Sequence, residues 1–358
     1  MVKTGLDVLS LREDKGLKKL DLGLIANSTA VDSNLKQSVF VLKERGYKIS
    51  CLFAPEHGFY GTSQDQVKED SYFDEYHGLM VFSLYGGSKK PTASMLKNVD
   101  GLIFDIQDIG SRFYTFIWTM ALAMEACSEY NKFFVVLDRP NPINGISLEG
   151  PLLNPQFKSF VGLYPIPIRH GMTVGELSIF LKKSHFSNLK LEVIKLKGWR
   201  REMWFDQTGL FWVMSSPNMP TLDTAMVYPG MCLFEGTNIS EGRGTTKPFE
   251  IFGAPWIDPY KLKSALDKER LNGLAFRSLF FKPTFHKYRD RTCGGLQIHV
   301  TNRNDFKPVL TAVAILKTIK HLYSKDFSWL PPPYEDEKKK LPFDVLAGNS
   351  VLRKYIDK

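Results

Sequence analysis

The chain has 358 residues, a length that favours about two domains. Hydrophobic residues make up 43% of the chain and the formal net charge is +9, values of a globular protein that favours anionic partners. Dispersed lysines argue against nucleic-acid binding, and no apolar run reaches the roughly 20 residues that a membrane span needs.

The first 150 residues alternate between strand and helix patterns. Five apolar runs predict strands: LDLGLIANST (20–29), KISCLFA (48–54), GLMVFSLY (78–85), GLIFDI (101–106) and KFFVVLD (132–138). A helical period predicts helices at 32–48, 91–99 and 114–131. We expect Asp32 or Ser33 to cap the first of these helices.

These strands are apolar on both faces, which is typical of a parallel sheet covered on both sides by helices. No GxGxxG motif follows any of them, so a dinucleotide site is disfavoured. We therefore predict an α/β fold with a Rossmann-like, mostly parallel sheet that lacks the cofactor fingerprint.

The second half of the chain mixes strands and helices around long loops. Thr173 followed by Glu176 predicts a capping box at the start of a helix. Two further strands and a helix are predicted at 191–199, 296–302 and 305–323. We therefore expect a Rossmann-like N-terminal domain over 1–160 and a smaller α+β C-terminal domain over 161–358.

Neither cysteine nor histidine spacing indicates a metal or redox site. The four cysteines are scattered and form no CxxC motif. The seven histidines form no HxH or HExxH motif, and His57 with Asp108 would supply two ligands where a catalytic zinc needs three. A GxSxG elbow is also absent, which argues against an acyl-enzyme hydrolase. We expect no metal and no cofactor.

Polar residues collect where three of the predicted strands end. They are Glu56 and His57 after the second strand, Asp105, Gln107, Asp108 and Arg112 after the fourth, and Asp138, Arg139 and Asn141 after the fifth. The carboxyl ends of parallel strands share one edge of a sheet, and ligands bind in the crevice outside that edge. The residues that we expect to face one cleft there are Glu56, His57, Asp108 and Arg139.

A structural role is the alternative for several of these residues. A single acid at a strand end more often caps a helix or forms a turn than takes part in catalysis. Asp105 and Asp138 are open between a scaffold role, in which they cap the following helices or pair with Arg112 and Arg139, and a role in the site. The cluster as a whole, rather than any one acid, indicates a functional site.

A long, loop-like stretch at 215–250 is also dense in polar residues. It carries Asn218, Asp223, Glu235, Asn238, Glu241 and Arg243. Long irregular segments in compact domains are usually lids or binding loops. The sequence EGRGTT lacks the Lys-Ser/Thr ending of a P-loop, which argues against a nucleotide site. We expect residues 232–246 to cover the cleft at the strand ends.

The motifs of the chain resemble those of one family. In chain order they are PEHGFYG, SLYG, FDIQDIGSRFYT, LDRPNPI, GLYPIPIRHGMTVGEL, SPNMPTLDTA, YPG, LFEGTNISEGRGTT and CGGLQIHV. By these motifs the chain resembles the DUF1343 family, whose characterised members are exo-β-N-acetylmuramidases of the NamZ type (glycoside hydrolase family 171). The resemblance runs from GLDVL near the start to LAG near the end, essentially the whole chain.

This resemblance implies a Rossmann-like N-terminal domain and a smaller C-terminal domain with an active-site cleft between them. It also implies release of N-acetylmuramic acid from the non-reducing ends of peptidoglycan fragments built of N-acetylmuramic acid and N-acetylglucosamine. The first 20 residues show no apolar core of a secretory signal, whereas exported family members carry a leader. We expect a periplasmic or secreted protein if a leader has been removed, and a cytoplasmic one otherwise.

The reaction assigns roles to the candidate residues. Glycoside hydrolysis needs an acid near the leaving oxygen and a second group at the anomeric carbon. Glu56 is the predicted general acid. His57 would either orient Glu56 or bind a hydroxyl group of the sugar. The second group is open between the substrate's own acetamido group and four acids: Asp105, Asp108, Glu235 and Glu241. The lactyl carboxylate calls for a guanidinium, for which the candidates are Arg112, Arg139 and Arg243.

Further residues of these motifs are candidates for binding the sugar. They are Asp105, Gln107, Tyr114, Asp138, Asn141, His170, Asn218, Asp223, Thr237 and Asn238. Two other functions stay open: a non-catalytic peptidoglycan-binding protein with the same cleft, and a hydrolase for a related acetamido sugar. Nothing in the sequence indicates an oligomeric state.

Overall fold

A computed structural model describes residues 1–65 and 67–358, and the chain divides into two compact units. The first unit comprises Met1–Gly110, Tyr114–Ile146 and Gly171–Pro220. The second unit comprises Ser111–Phe113, Ser147–His170 and Thr221–Lys358. Both units are assembled from several segments, so no single cut in the chain separates them. The boundary at residue 160 stays a prediction about independently folding domains.

The described part of the first unit contains a seven-stranded sheet. Its strands are β1 (Asp21–Ala26), β2 (Lys48–Ala54), β3 (Tyr72–Asp74), β4 (Leu79–Ser83), β5 (Gly101–Asp105), β6 (Phe133–Leu137) and β7 (Lys190–Ile194). Their spatial order is β3-β4-β2-β1-β5-β6-β7, and only β3 runs antiparallel to its neighbour. The predicted Rossmann-like, mostly parallel sheet is confirmed.

The strand order creates a switch point at the middle of this sheet. From β1 the chain moves outward to β2 and β4, and then returns to place β5 on the other side of β1. Leu24 of β1 and Ile103 of β5 pair directly and are fully buried. Ligands of doubly wound sheets bind outside the carboxyl ends of the strands at such a reversal. The fold therefore makes a crevice beyond Ala26 and Asp105.

Helices of this unit include α1 (Gly5–Ser10), α2 (Ser38–Glu44), α3 (Phe116–Glu129) and α4 (Val174–His185). The capping box predicted for α4 is confirmed, because the Glu176 amide donates to Thr173 Oγ1 at 3.1 Å and the Thr173 amide donates to Glu176 Oε2 at 3.0 Å. The first part of the strand predicted at 191–199 forms β7, which extends this sheet beside β6, whereas residues 195–199 lie outside the strand.

The predicted start of α2 is wrong. Asp32 Oδ1 accepts hydrogen bonds from the amides of Asn34 at 2.9 Å and Lys36 at 2.8 Å, which closes a turn instead of a helix. Leu35 has a φ of 65°, outside the helical region, so the helix begins only at Ser38. The helix predicted at 91–99 is also wrong, since that segment forms turns.

The second unit has the α+β character predicted for this part of the chain. Its sheet has the order β8-β10-β9 and is antiparallel, with β8 (Ile251–Ala254), β9 (Leu274–Phe281) and β10 (Cys293–Val300). Its helices include α5 (Leu222–Met231), α6 (Pro259–Leu266), α7 (Pro308–Leu322), α8 (Pro342–Ala347) and α9 (Val351–Asp357). Over residues 1–65 and 67–358, no helix has both the length and the apolar character to cross a membrane.

Asp138, directly after β6, is buried against the start of α4. Its Oδ1 accepts a hydrogen bond from the Gly175 amide at 2.8 Å. A Cβ atom at position 175 would lie 2.6 Å from Asp138 Cγ, so this close approach requires glycine. Burial raises the pKa of Asp138 to about 6, against the opposing hydrogen bonds from Gly175 and Thr173.

We predict that Asp138→Asn changes how the free energy of unfolding depends on pH. The folded-state pKa lies above the unfolded value of about 3.9, so Asp138 contributes stability that is complete below about pH 4 and lost as pH rises through 6. Asparagine keeps an acceptor and does not ionise. Relative to the wild type, the variant should gain about 2–3 kcal/mol between pH 4 and pH 7 in urea unfolding. If the free energy of unfolding changed with pH in the same way for the wild type and the variant, the prediction would be contradicted.

Candidate active site

The turn after β2 holds Glu56 and His57 in a constrained backbone conformation. The Gly58 amide donates to the Pro55 carbonyl oxygen at 3.1 Å, which closes the turn. His57 has a φ of 70° and Gly58 a φ of 78°. A positive φ is uncommon for a residue with a side chain and is often found at functional sites. The backbone thus presents both side chains at the carboxyl edge of the sheet.

Glu56 is buried and is held by a hydroxyl group. Thr115 Oγ1 donates a hydrogen bond to Glu56 Oε2 at 2.7 Å. Thr115 is the N-cap residue of α3, and the N-terminus of a helix favours a nearby negative charge. Only 5% of the Glu56 surface is exposed. The carboxyl group is therefore fixed in direction and largely shielded from water.

His57 has one ring nitrogen engaged by the backbone. Its Nδ1 lies 2.8 Å from the carbonyl oxygen of Ser63. Because a carbonyl oxygen only accepts, Nδ1 carries the proton, and Nε2 of a neutral ring is an acceptor. The ring also meets the edge of Phe116, with 6.4 Å between the ring centres. These contacts fix the orientation of the imidazole beside Glu56.

Tyr114 is a buried tyrosine whose pKa is affected by two carboxyl groups. Its hydroxyl oxygen lies 2.5 Å from Ser215 Oγ. Burial raises the pKa of Tyr114, hydrogen bonds with Ser215 and Ser216 oppose this rise, and the negative charges of Asp108 and Glu56 add to it. The charges of Asp108 and Glu56 therefore both affect this phenol, and that the two side chains face one cleft stays a prediction.

Asp108 is placed by its own loop. Its Oδ2 accepts a hydrogen bond from the Gly110 amide at 2.7 Å. The preceding Gln107 donates from Nε2 to the Asp108 carbonyl oxygen at 2.6 Å and to the Pro140 carbonyl oxygen at 2.7 Å. These bonds tie the segment after β5 to the segment after β6, so Gln107 supports Asp108.

Asp105 and Arg139 form a buried ion pair. Arg139 Nε donates to Asp105 Oδ1 at 2.7 Å, and Arg139 Nη2 donates to the Val31 carbonyl oxygen at 2.9 Å. Burial raises the pKa of Asp105, and the positive charge of Arg139 opposes this effect. The sequence offered Arg112 and Arg139 as partners of Asp105 and Asp138, and in the structure it is Arg139 that pairs with Asp105. Arg139 also lines a small cavity with Gln107.

Three side chains that the sequence analysis missed support this site. Thr115 lies within an apolar helix pattern and Ser215 begins the SSPNMP segment, so neither stood out. Gln64 Oε1 accepts a hydrogen bond from Nδ2 of the predicted residue Asn218 at 3.0 Å. A hydroxyl residue at a predicted helix start, close after a strand end, is the signal that would have identified Thr115.

The predicted lid segment forms a buried ionic network within the second unit. Arg243 Nη1 donates to Glu241 Oε1 at 3.2 Å and to Glu235 Oε1 at 2.7 Å. Lys287 Nζ lies 2.9 Å from Glu241 Oε2, and His286 Nδ1 lies 3.2 Å from Glu241 Oε1. Burial favours protonation of Glu241, but Lys287, His286 and Arg243 outweigh it and hold the pKa of Glu241 well below its usual value.

This network fixes the backbone of residues 232–246. Lys287 Nζ also donates to the carbonyl oxygens of Phe234 at 2.9 Å and Ile239 at 3.1 Å. Glu235 Oε2 accepts a hydrogen bond from Tyr334 Oη at 2.6 Å. An ionised Glu241 surrounded by cations is unsuited to donate a proton. That residues 232–246 cover a cleft stays a prediction.

The guanidinium of Arg112 donates hydrogen bonds to backbone carbonyl oxygens of the second unit. Its Nη1 donates to the Pro151 carbonyl oxygen at 2.8 Å and to that of Ile166 at 2.9 Å. Its Nη2 donates to the Leu346 carbonyl oxygen at 2.8 Å. Burial lowers the pKa of this guanidinium to about 10. Binding of a substrate carboxylate would require Arg112 to give up these bonds.

The remaining candidates have varied surroundings. Asn141, Thr237 and Asn238 hydrogen-bond to backbone groups of neighbouring loops. Asp223 is exposed in the first turn of α5, and His170 is buried in the second unit. Within the described residues, no three His, Cys, Asp or Glu side chains are grouped so that they could hold a metal ion.

Two buried carboxyl groups and a tyrosine at the carboxyl edge of a doubly wound sheet are suited to acid–base catalysis. The N-terminal model of the exo-β-N-acetylmuramidase NamZ family matches residues 22–223, and its C-terminal model matches residues 226–358. The chain therefore belongs to the NamZ family, which confirms the resemblance found in its motifs.

Individual relatives agree with this assignment. The peptidoglycan β-N-acetylmuramidase NamZ of Bacillus subtilis (strain 168) is 50% identical over 357 residues, which cover 99% of this chain and 84% of that protein. Crystal structures of two DUF1343 family proteins from Bacteroides fragilis NCTC 9343 are similar, with TM-scores of 0.90 and 0.73 at 36% and 29% identity. Each similarity covers 100% of this chain and 91% of the other.

We predict that Thr115 positions Glu56 for turnover. Thr115→Val removes the hydroxyl donor and should lower kcat about tenfold or more with little change in KM, because a misaligned catalytic group slows the chemical step. Thr115→Ser keeps the hydroxyl and should retain activity. Thr119→Val is the matched control, since Thr119 is buried in the same helix and its Oγ1 donates to the Thr115 carbonyl oxygen at 3.4 Å. Equal losses in both valine variants would contradict the positioning role.

We predict that Glu241→Gln mainly lowers stability. It leaves Lys287 without the buried carboxylate at 2.9 Å and leaves Arg243 with Glu235 alone, which should cost about 3–5 kcal/mol in urea unfolding at pH 7. The folded-state pKa of Glu241 is depressed, so its contribution is present above the unfolded pKa of about 4.3 and is lost as pH falls. Asp267→Asn, at an exposed pair with Lys263, should change little. A stable but inactive Glu241→Gln protein would instead assign Glu241 to catalysis.

Proposed function

We propose that this chain is an exo-acting β-N-acetylmuramidase that hydrolyses the glycosidic bond of N-acetylmuramic acid at the non-reducing ends of peptidoglycan fragments. The observation that carries the proposal is the 50% identity with a peptidoglycan β-N-acetylmuramidase over 357 residues. The buried Glu56 carboxyl group, held at 2.7 Å by Thr115, supplies the acid that the reaction needs. The released fragments would enter muropeptide recycling.

Glu56 would protonate the glycosidic oxygen as the leaving sugar departs. Its fixed direction matters because general acid catalysis depends on a short, aligned contact with that oxygen. His57, held through Nδ1, would orient Glu56 or accept a hydrogen bond from a sugar hydroxyl through Nε2. The shielded surroundings of both side chains limit competition from water for these hydrogen bonds.

Asp108 best fits the second role among the acids. Asp105 forms an ion pair with Arg139, and Glu241 is surrounded by cations, so both acids already have charged partners. The negative charges of Asp108 and Glu56 both raise the pKa of Tyr114, which supports a shared site for the two carboxyl groups. Asp108 would stabilise positive charge at the anomeric carbon or activate water, while the substrate's acetamido group is the alternative nucleophile.

A guanidinium at the same edge would bind the lactyl carboxylate. Arg139 belongs to the first unit, beside the end of β6, and lines a cavity with Gln107. A guanidinium has five N–H donors in a planar fork, more than its bonds to Asp105 and Val31 use. Arg139 is therefore our candidate for this contact.

We predict that Glu56→Gln abolishes hydrolysis of the natural disaccharide. Glutamine keeps the shape of the side chain but has no transferable proton, and a general acid typically contributes about 10²–10⁴-fold. A nitrophenyl glycoside, whose leaving group departs without protonation, should lose much less. Rates on both substrates, measured by sugar analysis and by absorbance, test this. Equal losses on the two substrates would remove Glu56 from the acid role.

Glu75→Gln is the matched control, because Glu75 is an exposed acid in a nearby turn of the same unit. It should leave both rates unchanged. Binding of N-acetylmuramic acid by the Glu56→Gln protein should stay near that of the wild type. A wild-type protein that binds the sugar but releases no chromophore from a β-N-acetylmuraminide would instead support a non-catalytic binding function.

A further inference from the structure

A cavity of about 270 Å³ lies beside the carboxyl end of β1, within the first unit. Its volume lies just below the range of about 300–1,000 Å³ for pockets that hold drug-sized ligands, so it suits one sugar residue or a substituent. Much of its wall is apolar: Ala30, Val31, Leu35, Val39 and Val213. None of these residues has a role in the chemistry proposed above.

Asn27 contributes a buried donor to this cavity. Its Oδ1 accepts hydrogen bonds from the Thr29 amide at 2.9 Å and from Thr29 Oγ1 at 2.6 Å, which fixes the orientation of the carboxamide. Asn27 is 3% exposed, and among residues 1–65 and 67–358 its Nδ2 has no hydrogen-bond partner. A buried donor without a partner costs about 1–3 kcal/mol. An acceptor on a ligand would recover that energy.

Tyr60 supplies an aromatic surface to the same cavity. Its Oη donates to Asp74 Oδ1 at 2.9 Å, which fixes the ring, and 43% of the residue is exposed. Leu35, also in the cavity lining, is 48% exposed. A fixed, exposed aromatic face next to a polar group is suited to the apolar face of a pyranose ring. The cavity therefore combines a buried hydrogen-bond donor from Asn27, an apolar wall and the aromatic ring of Tyr60.

We propose that this cavity binds the 2-acetamido group of an N-acetylated sugar of the substrate. Asn27 Nδ2 donates to the acetyl carbonyl oxygen, the apolar wall receives the methyl group, and Tyr60 supports the sugar ring. An acetamido group matches these features because it joins one acceptor to one methyl group. The inference rests on the proposed function for the identity of the sugar.

The position of the cavity relative to Glu56 is compatible with one substrate. Tyr60 follows Glu56 by four residues, a stretch that spans at most about 14 Å when extended. The turn at Gly58 shortens it further. The Cα atoms of Glu56 and Tyr60 are therefore at most about 14 Å apart, which is close enough for one oligosaccharide to reach both residues.

The test compares two ligands with the Asn27→Asp variant. Aspartate keeps the acceptor that Thr29 uses and removes the Nδ2 donor. Calorimetry would measure affinity for N-acetylmuramic acid and for its analogue with a hydroxyl in place of the acetamido group. We expect affinity for the acetylated sugar to fall roughly 10- to 100-fold, with a much smaller change for the analogue. Equal losses for both ligands, or no loss, would overturn the proposal.

Variants of Tyr60 supply a second, surface-located test. Tyr60→Phe keeps the ring and should retain binding, whereas Tyr60→Leu should weaken binding of both sugars by about tenfold. Tyr76→Leu is the matched control, because Tyr76 is an exposed tyrosine of the same unit outside the cavity lining. If Tyr60→Leu binds like the control, Tyr60 does not support the sugar ring and the proposal fails.

These binding measurements separate this inference from the proposed function. A protein that shows Asn27-dependent binding of the acetylated sugar but no hydrolysis would refute the muramidase assignment and leave the acetamido site standing. A protein that hydrolyses muropeptides with unchanged discrimination in the Asn27→Asp variant would keep the muramidase assignment and overturn the acetamido site.

Discussion

The buried ion pair between Asp105 and Arg139 fixes the strand ends on which the candidate site depends. Arg139 reaches Asp105 at 2.7 Å and the Val31 carbonyl oxygen at 2.9 Å, so it joins the ends of β5 and β6 to the loop after β1. Loss of either partner would leave a buried charge, at a cost of about 3–5 kcal/mol. Gln107 then bonds across to the Pro140 carbonyl oxygen, and Asp108 follows it directly. The position of Asp108 is thus set by a contact that takes no part in the chemistry.

The surroundings of the acids divide them into different roles. Asp138 accepts a bond from the start of α4 and has a raised pKa of about 6, whereas Glu241 is held ionised by Lys287 and other cations. Glu56 lies in the turn after β2, where its Oε2 accepts a hydrogen bond from the neutral hydroxyl of Thr115 at 2.7 Å.

Much of the fold was predictable because apolar runs in α/β proteins report directly on buried parallel strands. The location of the site was predicted from the shared edge of those strands, and the charges of Glu56 and Asp108 both raise the pKa of Tyr114. The role of Arg112 was not predictable, since it depends on a carbonyl oxygen of Leu346, 234 residues away in sequence. The start of α2 was missed for a local reason, the turn made by the Asp32 side chain, which competes with a helical N-cap.

The segment of turns after β2 carries both the predicted general acid, Glu56, and the proposed sugar-binding residue, Tyr60. Glu56 and Tyr60 share this segment, and its ends are held by Thr115 and by Asp74. Contacts to a part of the substrate remote from the scissile bond accelerate a reaction only when they align the reacting groups. A sugar that binds to Tyr60 would stabilise the conformation of the backbone that also carries Glu56. Its binding energy would therefore help to orient the Glu56 carboxyl group. Under this arrangement, weakening the acetamido contact should lower kcat as well as raise KM, whereas a separate anchoring site would raise KM alone.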